Sequence, residues 1–310
     1  MSSSEHQWVL KNESIRWVHF IGSDASQIRV ALHSFNIKLD LDPYYFSTVT
    51  KTSTFFLHDA GDYVVRVAIW RNLGYDGEIE PLQLIVTPNT VVSWSQSSHE
   101  TLLKDVQQRL KELDNPDDIT THRIISLLLE GILDKAFEVL NGINDELEYL
   151  EQQVVLSHSR LSNNQVTMDN ISRLHRTVLE FRHIVASHRD VAYHLARHWM
   201  KKNAMSASHA FVIYDHSIRL YDSVDGTRDL IHSVMDIYLS AASNRVNEIV
   251  QKLTVMAAIF LPASLIAALY GMNFRFLPGV HWYFGFYAVV GGIILLSGAL
   301  LWAFRRNGWI

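Results

Sequence analysis

The side chains best suited to chemistry in this chain are imidazoles, a few carboxylates, and some polar residues set among apolar ones. There are 16 histidines in 310 residues and no cysteine. His183, His188, His194 and His198 fall in one stretch of helical periodicity. His194 and His198 are four apart, hence on one helical face, and imidazole suits Zn²⁺. An ordinary amphipathic surface accounts for the same pair, and no carboxylate pattern accompanies it. His58, Asp59 and Asp62 combine an imidazole with two carboxylates, but Asp59-Ala60-Gly61-Asp62 reads more simply as a turn between strands. The absence of cysteine removes disulfides, thiolate metal sites and thiol nucleophiles together. No phosphate-binding loop, Gly-x-Ser-x-Gly or His-Glu-x-x-His is present. The expectation is a non-enzyme without a cofactor, and a membrane-anchored enzyme or sensor is the rival class.

The residues around such groups are distributed unevenly. The chain is 19% charged, where soluble domains average about 25%. The last 58 residues hold Arg275, Arg305 and Arg306 and no Asp or Glu, so the first 252 carry 24 basic and 32 acidic residues. An acidic body with an apolar tail excludes a plain soluble enzyme, a disordered chain and a basic nucleic-acid binder. Leu253–Tyr270 gives 18 residues without a charge and Tyr283–Phe304 gives 22. A span needs roughly 17–25 apolar residues, so the tail predicts a hairpin through a lipid bilayer. Lys252 precedes the first span, Arg305 and Arg306 follow the second, and the loop between holds Arg275 alone. Positive-inside bias puts both termini in the cytoplasm of an inner (cell) membrane protein. Met1 to His6 show no signal-peptide pattern. Phe274, Phe276, Trp282, Tyr283 and Phe284 form an outer aromatic belt, and Trp309 sits at the inner interface.

The body reads as α/β and then helical. Strands are expected at Ile15–Phe20, Thr52–His58, Tyr63–Trp70, Pro81–Val86 and Thr90–Trp94. Helices are expected at Glu100–Leu113 with Ser98 as cap, at Thr120–Val155 and at Asn163–Trp199. A last helix begins near Ser208 with an apolar seam through Leu220, Val224, Ile231, Val234 and Tyr238, and nothing but Gly226 weakens it before the first span. The division expected is a cytoplasmic α/β domain at 1–97, a helical region at 98–207, a stalk helix at 208–252, and a first transmembrane helix at 253–271. An outer loop at 272–282, a second transmembrane helix at 283–304 and a basic end at 305–310 complete it.

Tyr270-Gly271-Met272-Asn273, at the outer end of the first span, resembles the signature of the CorA family of divalent-cation channels and transporters. Tyr214-Asp215-His216, Asp236 to Ser240, Ser243-Asn244-Arg245, Asn247-Glu248, Leu253-Thr254 and Ile259 to Pro262 resemble that family in order and spacing. The close match runs from Tyr214 to Ile310. The resemblance implies a funnel-shaped homopentamer whose first spans line a pore for Mg²⁺, with Co²⁺ or Ni²⁺ as further substrates. Physics adds independently that two spans cannot enclose a water-filled path.

On that reading one helical stripe matters: Asn247, Val250, Leu253, Ala257, Leu261, Ser264 and Ala268, followed by Asn273. Polar rings would alternate with apolar constrictions that gate by dewetting. A packing or lipid-facing stripe with chance polar residues is the plainer account. Asn273 would bring neutral amide oxygens to the mouth and hold hydrated Mg²⁺ through its waters, with Gly271 permitting the turn beside Met272. Asp236 would form a carboxylate ring that attracts cations, or simply a solvated face. Three departures point toward the zinc branch of the family, ZntB, and its proton-coupled transport. The outer loop has Leu277-Pro278-Gly279-Val280 where an acidic residue is usual, Val212 stands where the cytoplasmic sensing site has an acid, and the terminal basic run is only Arg305-Arg306. Met272 follows the magnesium pattern instead. Whether the cargo is Mg²⁺ or Zn²⁺ stays open at this point.

Overall fold

Runs of β-branched and aromatic residues form strands β1 (His6–Lys11), β2 (Arg16–Ile21), β3 (Thr54–Leu57), β4 (Tyr63–Trp70), β5 (Ile79–Val86) and β6 (Thr90–Ser95). The computed structural model describes residues 6–11, 15–22, 52–57, 62–70, 79–97, 99–113, 118–156, 164–201, 204–272 and 282–309, with 30, 32, 33, 37 and 115 between them. The strands make one sheet in the order β1-β2-β6-β5-β4-β3, with β2 and β6 parallel and the other neighbours antiparallel. β1 lies upstream of the strands expected from the sequence. Pro81 sits within β5 but beyond the stretch paired with β6, which covers Gln83–Val86, so the missing amide breaks no β5–β6 pairing.

Alternation puts Val18, Phe20, Val64, Ile85, Val92 and Trp94 on one face, where they close an apolar core with Leu32 and Ile37. The intervening positions on β2 and β6 carry a buried polar chain instead. Trp17 Nε1 donates to Ser93 Oγ at 2.9 Å, and Ser93 Oγ shares a hydrogen bond with His19 Nδ1 at 2.9 Å. His19 Nε2 and Ser95 Oγ lie 3.4 Å apart, and Ser95 donates to the Ser97 carbonyl at 2.6 Å. The Ser97 amide donates to Glu80, which lies 3.8 Å from His99. Burial and then His99 pull the His19 pKa down to about 4, against a smaller opposing pull from Glu80.

Five helices follow: α1 (Glu100–Lys111), α2 (Thr121–Leu156), α3 (Asn164–Met200), α4 (Ala204–Tyr270) and α5 (Gly285–Arg306). The cap of α1 is His99, without a side-chain hydrogen bond, while Ser98 lies outside the described residues. α1 buries Leu102, Leu103, Val106 and Leu110. It comes so close to α2 that a Cβ on Gly131 would lie 2.6 Å from Leu102 Cδ1. α3 locks onto the sheet through polar contacts. Trp199 Nε1 donates to Tyr63 OH at 3.1 Å, and the Ser53 amide donates to Ser187 Oγ at 2.9 Å. His188 Nε2 donates to the Ala68 carbonyl at 2.7 Å. That bond fixes the tautomer and leaves Nδ1 an acceptor without a partner, beside a small cavity lined by Val67, Leu129, Ile132, Leu133, Ile213 and Ser217. Burial pulls His188 down to about 4, against a smaller upward pull from its Ala68 bond.

The chain divides into two compact units, Met1–Met235 and Asp236–Ile310, with the boundary inside α4. In the first unit α4 buries Ala207, Ala210, Ile213, Ser217, Leu220, Val224, Thr227, Ile231 and Val234, a row at steps of three and four. Tyr238, expected in that seam, is only half-buried. Thr227 Oγ1 donates to Asn144 Oδ1 of α2 at 2.8 Å. α3 and α4 run antiparallel along a polar seam. Arg182 Nε donates to Asp225 at 2.6 Å, Arg182 also donates to Tyr221, and Tyr193 meets Tyr214. The hydrogen bond from Arg182 holds the Asp225 carboxyl below its usual range. Gly226 leaves the helix unbroken, with nothing within 4 Å of where a Cβ would be.

Candidate functional site

In the second unit the last part of α4 and α5 form the two apolar helices, and only 6% and 0% of their most apolar windows are buried. A core helix of a soluble protein would be mostly covered, so these faces require an apolar solvent or further copies. Pro262 lies inside α4, which continues past it. The more covered side of this part of α4 carries Val255, which is buried, and half-buried Ala258, Ile259, Pro262, Ala263 and Ile266. Gln251 Nε2 donates to the Trp309 carbonyl at 3.3 Å. Trp309 is returned to that place by Gly308, at φ 69°, whose turn lets the Trp309 amide donate to the Phe304 carbonyl at 3.0 Å.

Asn247, Val250, Leu253, Ala257, Leu261, Ser264 and Ala268 are all exposed. At 3.6 residues per turn their stripe lies about 150° around the helix from that covered side. Two kinds of surface therefore face outward on α4. One is bulky, with Met256 and Phe260, and the other mixes small and polar residues with Val250, Leu253 and Leu261. Asp236 is exposed on the same helix. Gly271 closes α4 with its amide shared between Ala267 and Ala268 at 3.0 and 3.1 Å. Met272 is exposed, whereas Asn273, Arg275 and the stretch 277–280 lie outside the described residues. Trp282, Tyr283 and Phe284 are exposed and stack edgewise at the start of α5. At its other end Arg306 lies over Trp302, 5.3 Å from the ring centre.

The first unit places the remaining candidates elsewhere. His194 stacks on Phe55 with 6.0 Å between centroids, and His198 meets Phe55 and Tyr63 at 6.0 and 5.3 Å. The pair thus packs on aromatic rings of β3 and β4. No group of three or more metal-ligating His, Asp or Glu occurs among the described residues. Val212 is exposed, and Asp215 pairs with Arg219 one turn on. Sequence reasoning missed the facing histidines His175 and His232 on α3 and α4, with centroids 5.0 Å apart. Matching positions on two antiparallel helices become visible only once the helices are paired.

A sheet-and-helix unit followed by two exposed apolar helices, each long enough to cross a bilayer, fits a membrane protein with two candidate spans among the described residues. The chain belongs to the family of the CorA-like Mg²⁺ transporter protein, whose model matches residues 12–306. That is a family of transporters, which sets aside the membrane-anchored enzyme. The Cobalt/magnesium transport protein CorA of Thermotoga maritima is 27% identical over 239 residues, which is 75% of this chain and 65% of that relative. The match thus spans slightly less than two thirds of the relative's length. The CorA magnesium transporter of Methanocaldococcus jannaschii has the same fold, with a TM-score of 0.81 at 19% identity over 97% of this chain and 93% of that one. The ZntB cytoplasmic domain from Vibrio parahaemolyticus gives a TM-score of 0.54 at 11% identity, over 75% of this chain and 90% of that one.

Proposed function

We propose that this chain conducts divalent metal cations across a membrane as a homopentamer, with Mg²⁺ as the main substrate and Co²⁺ and Ni²⁺ as further ones. The observation that carries the reading is the small-and-polar stripe of α4, exposed opposite the helix's more covered side in a chain with two apolar helices. A hairpin encloses nothing alone, so the stripe becomes a pathway only when copies face one axis. Val250, Leu253 and Leu261 then form apolar constrictions, and Asn247 and Ser264 form polar rings on either side of them. Asn273 supplies amide oxygens at the outer mouth, next to Gly271 and Met272. Neutral oxygens hold Mg²⁺ through its water shell without stripping it, and weak binding permits exit. Asp236 adds a carboxylate ring on the cytoplasmic side. Both termini are cytoplasmic, because Lys252, Arg305 and Arg306 outnumber Arg275.

One observation favours a second reading, proton-coupled Zn²⁺ transport. Arg275 is the only charge between Gly271 and Trp282, so no carboxylate gathers cations at the outer mouth. Uptake of Mg²⁺ and of Zn²⁺ into proteoliposomes, with and without a proton gradient, separates the two. Mg²⁺ uptake indifferent to protons, and lost in Asn273→Ala, supports the first reading. Zn²⁺ uptake driven by protons supports the second. No cation flux in the parent protein overturns both.

A further inference from the structure

His175 on α3 and His232 on α4 face each other across the seam between the two helices. One heptad along, the hydrogen-bonded Arg182–Asp225 pair fixes the register, and Tyr193–Tyr214 repeats it farther on. Neither imidazole makes a hydrogen bond to a described residue. Ring nitrogens on both helices are thus left uncommitted. His175 is half-buried and His232 exposed, so solvent and ions reach the pair.

We propose that His175 and His232 together bind one borderline divalent cation, of the Zn²⁺, Ni²⁺ or Cu²⁺ class, and so clip α3 to α4. The separation suits it. A metal sits about 2.0–2.1 Å from each ligating nitrogen, hence about 3.2 Å from each ring centre, and tetrahedral coordination then places the centres about 5.2 Å apart. The observed spacing is 5.0 Å. The rings now meet at 66°, and the broad rotation of imidazole about its Cβ–Cγ bond is what aims a nitrogen of each at the shared point. The charges around the pair do not forbid a cation. Arg228 acts against positive charge at His175, but it is itself paired with Asp229 at 2.8 Å and Asp225 at 3.4 Å, which reduces its effect. With two nitrogen ligands and water in the remaining positions, the site prefers metals high in the Irving–Williams order. Mg²⁺, which demands oxygen ligands, is refused. The clip stands whether or not the chain conducts ions.

The test is calorimetric titration of the full chain in detergent with Zn²⁺, comparing the parent with His175→Ala, His232→Ala and, as control, His216→Ala. Bidentate capture predicts that one Zn²⁺ equivalent per chain weakens about a hundredfold in either of the first two variants. The control titrates as the parent, and excess Mg²⁺ does not compete. At one Cu²⁺ per chain, electron spin echo modulation reads two imidazoles in the parent and one in either variant. His232→Gln serves as the check where an alanine variant fails to fold. Identical Zn²⁺ isotherms in the parent and both variants overturn the site, as does effective competition by Mg²⁺.

Discussion

Acid should loosen the sheet–helix unit through His188, and the size of the effect follows from where that ring sits. Its Nε2 is held by the Ala68 carbonyl, and its other surroundings are apolar except for Ser217. The folded state keeps it neutral, with its pKa pulled from 6.5 to about 4 by burial. Between those values the unfolded chain binds a proton that the folded chain refuses, so stability falls as pH drops through that window. The full window corresponds to about 3 kcal/mol, of which about 2 kcal/mol is lost by pH 5. His19, also at about 4, adds a second loss of similar size and the same sign. The assay is the apparent Tm of the full chain in detergent from pH 7.5 to 4.5, paired with amide exchange in β4 corrected for intrinsic rate. His188→Gln keeps a donor toward Ala68 and removes the titration, so it should start less stable yet lose roughly half of the pH slope. His19→Gln should remove the other half. An unchanged slope in both variants, or stability that rises on acidification, refutes the reasoning.

Gly131→Ala should destabilise by about 1 kcal/mol despite better helix propensity, because the new methyl meets buried Leu102; Leu102→Val in the same chain should return part of it. Gly226→Ala should raise stability by about 0.5–1 kcal/mol in denaturant titrations, as open space surrounds that position. Thr227→Val should cost about 1–2 kcal/mol, because it strands the Asn144 carbonyl at the α2–α4 contact. Leu261→Ser should raise cation leak in proteoliposomes by about tenfold or more if that ring is a dry constriction; unchanged leak would remove Leu261 from the gate.

Much of this was legible from residue patterns. β4 is found where the β-branched and aromatic run extends from Tyr63 to Trp70, and α2, α3 and α5 begin within two residues of their expected starts. Uniform apolar text with no acid marks a span however it packs. Side-chain roles were less legible. Four-residue spacing put His194 and His198 on one face but could not say that β3 would lay Phe55 across it. His188 read as one helical histidine among several, and only the sheet's arrival at Ala68 makes it buried and singly bonded. Gly271 was read as permitting a turn, and its amide is shared between two carbonyls where α4 ends. Such facts depend on partners distant in sequence, which local spacing does not encode.

From Asp236 to Thr254 no residue of α4 is buried, although Ile237, Leu239, Val246, Ile249, Val250 and Leu253 lie there. The buried row that holds α4 to its own chain ends at Val234. Beyond it, this stretch buries none of its apolar side chains within its own molecule, although Gln251 bonds to the Trp309 carbonyl. Further ordering must come from other molecules, and so obeys mass action. Protection of these amides should then depend on protein concentration, while protection of the row up to Val234 should not. Dilution would read out, residue by residue, where α4 ceases to be a component of one chain.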